Sequence, residues 1–201
     1  MPDIRITKLT HACVRVSIGG IVLLIDPSTW SEPVEFVGAD ACLITHEHAD
    51  HVDPNRLAPL GIPVFVPEGA QIDGLEVTRV AARSTFSAAG IPVRAVGERH
   101  AFVYKDRPSC ANFGYLIDER VYHPGDAHAL PEAPVETLLV PMAGPWFKVG
   151  DAIEFVRAVS PERSIGIHDA MLRLRGLNSV NRWLDSETDA GYRYLAVGDD
   201  I

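Results

Sequence analysis

Three histidines and one aspartate fall within six consecutive residues of the chain. The segment 45–51 reads Thr-His-Glu-His-Ala-Asp-His, so one residue separates His46 from His48 and Asp50 directly precedes His51. In a loop, His46 and His48 can turn toward one ion while the Asp50–His51 pair turns toward a second. Imidazole nitrogens and carboxylate oxygens are the ligands that zinc and similar divalent ions favour. The spacing therefore predicts a metal site with room for two ions.

A site for two ions needs more ligands than this segment supplies. His100 follows the strand-like run 91–96, and His168 follows the run 164–167. Asp126 comes after a predicted hairpin and offers a carboxylate that two ions could share. Each of these residues is thus expected at the end of a strand.

The elements that must position these residues are mostly strands. Alternating residues in 14–18, a Gly19-Gly20 turn and the apolar run 21–25 predict a β-hairpin whose second strand stops at Asp26. The neighbouring run 41–45 ends directly at His46. The polar ends of buried strands are therefore expected to reach the site.

Further strands are expected from short apolar runs separated by glycine and proline. These runs are 63–66, 77–80, 113–117, 120–123, 137–140 and 192–197. Apolar stripes at helical spacing predict helices near 152–159 and 177–184, and Asp53-Pro54 predicts the start of a short helix at 55–60. Many strands with few helices favour two sheets packed together with helices outside, in one domain spanning 1–201.

Composition and charge narrow the class of protein. The chain has 201 residues, 47% of them apolar, and 27 acidic against 18 basic residues give a formal charge of −9. Such a charge repels a phosphate backbone, so nucleic acid is not expected as a substrate. No apolar run approaches the roughly 20 residues that span a bilayer, and the start lacks a signal-peptide pattern, so we expect a cytoplasmic protein without a membrane anchor.

The three cysteines, Cys13, Cys42 and Cys110, are widely separated and lie in apolar stretches. Neither a disulfide framework nor a Cys-x-x-Cys metal clip is suggested, which agrees with a reducing cytoplasm. Cys110 alone, because it is near His100 in sequence, retains the option of facing the site.

The order of these ligands resembles that of the metallo-β-lactamase superfamily over the whole chain. The chain looks most similar to the compact ascorbate-6-phosphate lactonase-like branch, because of Thr-His-Ala at 10–12, Ile-Asp-Pro at 25–27, His-Pro-Gly-Asp at 123–126 and Ile-His-Asp at 167–169. The resemblance implies an αββα sandwich of the α+β class, with two mixed sheets face to face and the site along one edge.

The resemblance also implies an assignment of the ligands. It gives His46, His48 and His100 to a first ion, Asp50, His51 and His168 to a second, and Asp126 to a bridge between them. Zinc is the first choice of metal, and manganese, iron and nickel are compatible with the same ligands. The implied enzyme is a hydrolase in which a hydroxide bridging two divalent metals attacks a small-metabolite ester, lactone, amide or phosphoester, with Asp50 holding or relaying a proton.

Several residues carry weaker signals. His11 faces the site in the resembled branch and could donate a proton or orient substrate, or else be a hydrogen-bonded structural histidine. Asp26 and Thr45 could hold metal-ligating imidazoles through hydrogen bonds, Asp26 being the stronger candidate, and the alternative for Asp26 is a turn residue before Pro27. For His123 and His128 we expect structural roles.

The loop 141–148 combines Trp146 and Phe147 with Lys148. Such a loop suits recognition of an anionic or ring-bearing small molecule, and Lys148 could hold a phosphate or carboxylate. The alternative is that Gly144-Pro145 makes a turn and the aromatic pair packs beneath the next helix.

Other functions compete with a hydrolase. A metal-binding sensor or partner protein could use the same fold and ligands, because neither proves turnover. A nuclease of the superfamily usually adds a substrate-clamping domain or a basic surface, an antibiotic-hydrolysing enzyme is normally exported, and the two-iron redox members carry a Glu where this chain has His48. A homo-oligomer built through sheet edges or helices would be unsurprising.

Overall fold

The computed structural model describes residues 2–105 and 109–201. Its strands form two mixed sheets. The first sheet has six strands that lie side by side in chain order: β1 Ile4–Lys8, β2 Val14–Ile18, β3 Ile21–Ile25, β4 Ala41–Leu43, β5 Val64–Pro67 and β6 Thr78–Val80. The strands β1 to β3 are antiparallel, whereas β3 to β6 are parallel.

In the second sheet the strands also lie side by side in chain order, from β7 at one edge to β13 at the other. Its seven strands are β7 Thr85–Ala88, β8 Ile91–Val96, β9 Gly114–Ile117, β10 Val121–His123, β11 Thr137–Pro141, β12 Arg163–Ile167 and β13 Tyr192–Arg193. Pairing is antiparallel from β7 to β10 and parallel from β10 to β13. In both sheets, the carboxyl ends of the parallel strands therefore lead into loops that can carry the residues of a site.

The main core lies between the two sheets. Alternate residues of β2, such as Val14 and Val16, are fully buried and join Tyr115 and Leu139 of the second sheet in one apolar cluster. Residues that point to the other faces of the sheets form separate clusters. This alternation places a helical layer outside each sheet.

Helices α2 Val149–Val159 and α3 Leu174–Glu187 cover the second sheet, with Ile153, Val156 and Leu184 buried against it. The short helix α1 Pro54–Leu57 covers the first sheet through Leu57. The αββα sandwich predicted from the sequence is thus confirmed.

Some element boundaries differ from those predicted. The expected helix 55–60 is α1 followed by a 3-10 turn, Ala58–Leu60, because Pro59 cannot donate a backbone hydrogen bond. Asp53 is its N-cap as expected and accepts from the backbone N–H of Arg56 at 3.2 Å. The edge strand β7 has mostly exposed residues and was not predicted.

The predicted closing strand 192–197 is shortened to β13. The chain leaves the second sheet there and runs beside β1, where the backbone N–H of Ile6 donates to Ile201 O at 2.9 Å and that of Lys8 donates to Asp199 O at 3.0 Å. The predicted strand is therefore present only at 192–193, and the residues that pair with β1 lie beyond the predicted range.

The three cysteines are free thiols, with Cys13 and Cys42 buried and Cys110 partly exposed. Within the described ranges, none of the helices combines the length and the apolar character that a transmembrane helix needs.

Candidate metal centre

The histidines and aspartates singled out in the sequence gather at one edge of the sandwich. β3 is followed by Asp26, β4 leads into His46, and β12 is followed by His168. Because the carboxyl ends of parallel strands meet at the same edge of a sheet, these side chains converge although they are far apart in sequence.

The first cluster contains His46, His48 and His100, whose nitrogen atoms lie within 4.8 Å of one another. Thr45 Oγ1 donates to Asp26 Oδ2 at 2.7 Å, so it accepts the Nδ1 proton of His46, 3.1 Å away. His46 Nε2 is then an unprotonated nitrogen aimed into the cluster. It lies 3.0 Å from His48 Nδ1.

His48 can carry its own proton on Nε2, which lies 3.8 Å from Cys110 Sγ. Two nitrogen lone pairs then face each other, an arrangement that a cation between them stabilises. His100 completes the group: its Nδ1 donates to Ala101 O at 2.6 Å, which leaves Nε2 as an acceptor 3.3 Å from Asp126 Oδ2. All three imidazoles can therefore offer a lone pair to the same point.

The second cluster is built from Asp50, His51 and His168. Asp26 Oδ2 accepts from His51 Nδ1 at 2.7 Å, which orients the ring and directs Nε2 inward. His51 Nε2 lies 3.1 Å from His168 Nε2, and the latter lies 3.8 Å from Asp50 Oδ2. This cluster thus has two imidazoles and a carboxylate, which suits a second divalent ion.

Asp126 lies between the two clusters. Its Oδ2 is 3.3 Å from His100 Nε2, and its Oδ1 is 3.1 Å from the Nε2 atoms of both His51 and His168. Oδ1 is buried and faces these two imidazole nitrogens. A proton on His51 can neutralise this carboxylate, and a cation coordinated there would take the place of that proton. The donor set therefore fits two divalent ions that share Asp126.

The electrostatics of these side chains agree with this fit. Burial lowers the pKa of His46 well below its usual value, so this imidazole is neutral and able to act as a ligand. Burial also disfavours the charged form of His51, but Asp126 and Asp26 outweigh it and raise the pKa of His51 well above its usual value. Burial would raise the pKa of the Asp126 carboxyl, yet His51 and His168 hold it well below its usual range. The site thus attracts positive charge.

His11 lies beside the second cluster, close enough to Asp50, His51 and His168 to be grouped with them geometrically. Its Nδ1 accepts from the backbone N–H of Ala170 at 3.2 Å. A neutral imidazole has one proton, so that proton is on Nε2, 3.5 Å from Asp50 Oδ2. His11 therefore presents an N–H donor rather than a lone pair, which distinguishes it from the ligand histidines.

Burial lowers the pKa of His11 to about 4, against the opposing effect of a hydrogen bond to Asp50. Burial alone would raise the pKa of Asp50, but His11 and His51 lower it to about 2. The ring of His11 also packs on that of His168 with centroids 3.8 Å apart, and both residues have left-handed backbones, φ 61° and 58°. Non-glycine residues held in this conformation are concentrated at functional sites.

Of the other residues suggested by the sequence, some contact the metal-ligand candidates and one lies apart from them. Asp26 and Thr45 hydrogen-bond to ligand imidazoles as described above. Trp146 is buried, and its Nε1 donates to Asp126 Oδ2 at 2.9 Å. It is therefore a core residue that also contacts the site. Lys148 does not join the clusters: its side chain is 79% exposed and its Nζ lies 4.0 Å from Asp151 Oδ2 on α2.

The two remaining histidines make structural contacts. His123 donates from Nε2 to Ala12 O at 2.9 Å and accepts at Nδ1 from the backbone N–H of Gly125 at 3.1 Å, so both of its nitrogens are used. His128 stacks on Phe155 with ring centroids 4.9 Å apart.

Sequence reasoning missed residues that support or border the site. Asn112 accepts from the backbone N–H of Asp126 at 2.9 Å and donates to Pro124 O at 3.0 Å, which fixes the loop that carries Asp126. Lys8 is buried, and its Nζ donates to Asp169 Oδ1 at 2.9 Å, next to His168. A lysine in a strand of apolar residues was the one available signal for this ion pair.

Comparison with known proteins agrees with the fold. The family model of the beta-lactamase superfamily domain matches residues 5–168. The chain therefore belongs to the beta-lactamase superfamily and has the metallo-β-lactamase fold.

Individual relatives give the same result. Protein Rv0786c of Mycobacterium tuberculosis is 35% identical over 180 residues, covering 84% of this chain and 85% of its own. The UPF0173 metal-dependent hydrolase MK1542 of Methanopyrus kandleri is 28% identical over 192 residues, covering 82% of this chain and 83% of its own. Igni18, a metallo hydrolase from Ignicoccus hospitalis, superposes with a TM-score of 0.78 at 19% identity, over 98% of this chain and 97% of its own.

Proposed function

We propose that the chain is a dinuclear metal-dependent hydrolase that acts on a small-molecule ester, lactone, amide or phosphoester. The observation that carries the proposal is the pair of donor clusters that meet at the buried carboxylate of Asp126. The residues that would hold the ions are His46, His48 and His100 in one cluster and Asp50, His51 and His168 in the other.

Bound there, two divalent ions would supply a hydroxide nucleophile at neutral pH and a Lewis acid for the oxygen under attack. The mixture of imidazole and carboxylate favours zinc and accepts manganese, iron or nickel. The chain's own part is to fix these ligands, which it does through the hydrogen bonds of Thr45, Asp26 and Ala101.

Asp50 and His11 are placed to act on the reactants. Asp50 is only half-buried and its low pKa keeps it ionised, so its carboxylate can accept a hydrogen bond from the attacking water and orient it. His11 is neutral near pH 7, and its Nε2–H can donate a hydrogen bond that orients the substrate. The low pKa makes this orienting role preferable to the alternative role of proton donor.

The proposal is tested with metal-depleted protein to which zinc or manganese is added during assays with a generic phosphodiester, a lactone and a carboxylic ester. We expect turnover of at least one class that rises with added metal and is abolished in Asp126→Ala. Asp40→Asn is the matched control, because Asp40 is an exposed carboxylate that accepts from the backbone N–H of Val22 on the first sheet. Absence of metal-dependent turnover with every substrate would favour the sensor or partner role instead.

His11→Ala separates chemistry from metal binding. If His11 orients the substrate, the variant should lose turnover while it keeps the metal content of the unsubstituted protein. Loss of metal together with turnover would show that His11 supports the ligands rather than the reactants.

A further inference from the structure

Trp30 is held at the edge of the site by a rigid loop. The backbone N–H and the hydroxyl of Thr29 both donate to Ala49 O, at 3.0 and 2.8 Å, which ties this loop to the segment that carries Asp50. The backbone N–H of Trp30 donates to Ser28 Oγ at 3.1 Å, and Ser28 is fully buried. The indole therefore projects from a fixed backbone.

The indole ring of Trp30 lies against His11, with centroids 4.6 Å apart and planes inclined at 47°. Although it is in contact with the site, 43% of Trp30 remains exposed. A tryptophan buries about 150–250 Å² when it is fully packed, so this one leaves a sizeable apolar surface beside His11. Open aromatic surface next to polar groups is the usual composition of a small-molecule site.

A second loop, which follows β12, also contacts His11. The backbone N–H of Ala170 in this loop donates to His11 Nδ1. His11 is therefore held between the loop that carries Trp30 and the loop after β12.

The surface near His48 and Cys110 is acidic. A cavity of about 450 Å³ beside Cys110 is lined by Glu47, Glu68 and Glu98 as well as Arg99. Three carboxylates against one guanidinium disfavour an anionic extension of the substrate there. An apolar group is therefore better accommodated on the Trp30 side.

We propose that Trp30 is a substrate-contacting residue that stacks on an apolar, preferably aromatic, group next to the bond that is cleaved. The proposal rests on the hydrolase function and makes it more specific: the substrates are esters or phosphoesters with an aryl or similar apolar group at the His11 side of the site. It also replaces Lys148 by Trp30 as the residue that recognises substrate.

The test compares binding of phenylphosphonate and methylphosphonate to the zinc-loaded protein by calorimetry, so it does not depend on turnover. We expect the unsubstituted protein to bind phenylphosphonate about tenfold more tightly, because one aromatic stack contributes roughly this factor. Trp30→Ala should abolish the preference and Trp30→Phe should largely keep it. Trp183→Ala is the matched control, because Trp183 is 50% exposed on α3.

Three results would overturn the proposal: no binding of either phosphonate, equal binding of both by the unsubstituted protein, or a preference that survives in Trp30→Ala. If Trp30 had a structural role, Trp30→Ala would bind both phosphonates more weakly by the same factor. Its metal content, which is measured in parallel, would also fall. Failure of the hydrolase function has a different signature, since the phosphonate preference would then be present without turnover of any ester.

Discussion

Replacement of Asp26 by Asn should weaken metal binding without removing a ligand. Asp26 is fully buried and its carboxylate accepts three hydrogen bonds, each 2.7 Å long: from Thr45 N at Oδ1, and from Thr45 Oγ1 and His51 Nδ1 at Oδ2. Its backbone has φ 48°, a conformation that Asn tolerates well, so the substitution changes hydrogen bonding with little added strain.

The expected loss of metal affinity follows from the number of hydrogen-bond donors that lose their acceptor in Asp26→Asn. Asn keeps one acceptor oxygen for Thr45 N, and its NH2 group then faces two donors. His51 can avoid the conflict by moving its proton from Nδ1 to Nε2, but Nε2 is the atom that faces Asp126 and would bind metal. Loss of such an orienting partner costs about 10- to 100-fold in metal affinity, which is about 1.4–2.8 kcal/mol.

The affinity is measured by competition with a chromogenic chelator, with circular dichroism to show that Asp26→Asn is folded. Asp40→Asn serves again as control and should bind metal like the unsubstituted protein. If folded Asp26→Asn held both metals with an affinity within about twofold of the unsubstituted protein, the inference that Asp26 fixes the His51 tautomer would be refuted.

Three further predictions concern the same loops. Trp146→Phe removes the Nε1–H that donates to Asp126 and should lower metal affinity about tenfold in the same chelator competition. Gly125→Ala should lower the melting temperature by several degrees, because φ is +63° and a Cβ would overlap the Asn112 side chain; overpacking costs about 1–3 kcal/mol. Metal affinity should rise with pH through neutrality, because the pKa of His51 is raised and its extra proton must leave, which calorimetry in buffers of different ionisation enthalpy detects as proton release.

Each of these predictions has a control variant or a result that would contradict it. Trp183→Phe should leave metal affinity unchanged, since Trp183 is on the exposed side of α3. Gly150→Ala meets no atom within 4 Å and should not destabilise the fold. A pH-independent affinity between pH 6 and 8, or an unchanged melting temperature for Gly125→Ala, would contradict the geometry described for these loops.

The local patterns in the sequence were enough to predict the layers of the fold. The Gly19-Gly20 turn joins β2 to β3 as expected, and β3 ends directly before Asp26. The strand β4 ends at Leu43, two residues earlier than predicted, and the chain continues to His46. A strand with one face entirely buried has apolar residues at regular spacing, and strands of this kind were predicted from the sequence. Edge strands such as β7 give a weak one, because their mostly exposed residues need no apolar alternation.

The site was predictable where the ligands are close in sequence or end a strand. Asn112 and Trp30 were not predictable in the same way, because each acts through contacts between distant segments. Trp30 reaches His11 only because the loop after β3 is bonded to Ala49. A single tryptophan in a polar loop has no spacing pattern that would indicate this.

The position of Lys148 illustrates the same limit. A cation in a loop that follows a strand is a reasonable candidate for anion recognition. In the structure, however, it begins α2 and lies near Asp151, one turn along the helix. Trp146, two residues earlier, points inward to Asp126 instead.

The most direct test of a dinuclear centre is the metal stoichiometry of the chain, measured by native mass spectrometry after removal of metals and addition of excess zinc. The account predicts two zinc ions per unsubstituted chain and at most one in Asp126→Ala, because Asp126 is the carboxylate between both clusters. A single zinc ion at saturation in the unsubstituted chain, or two retained in Asp126→Ala, would contradict it.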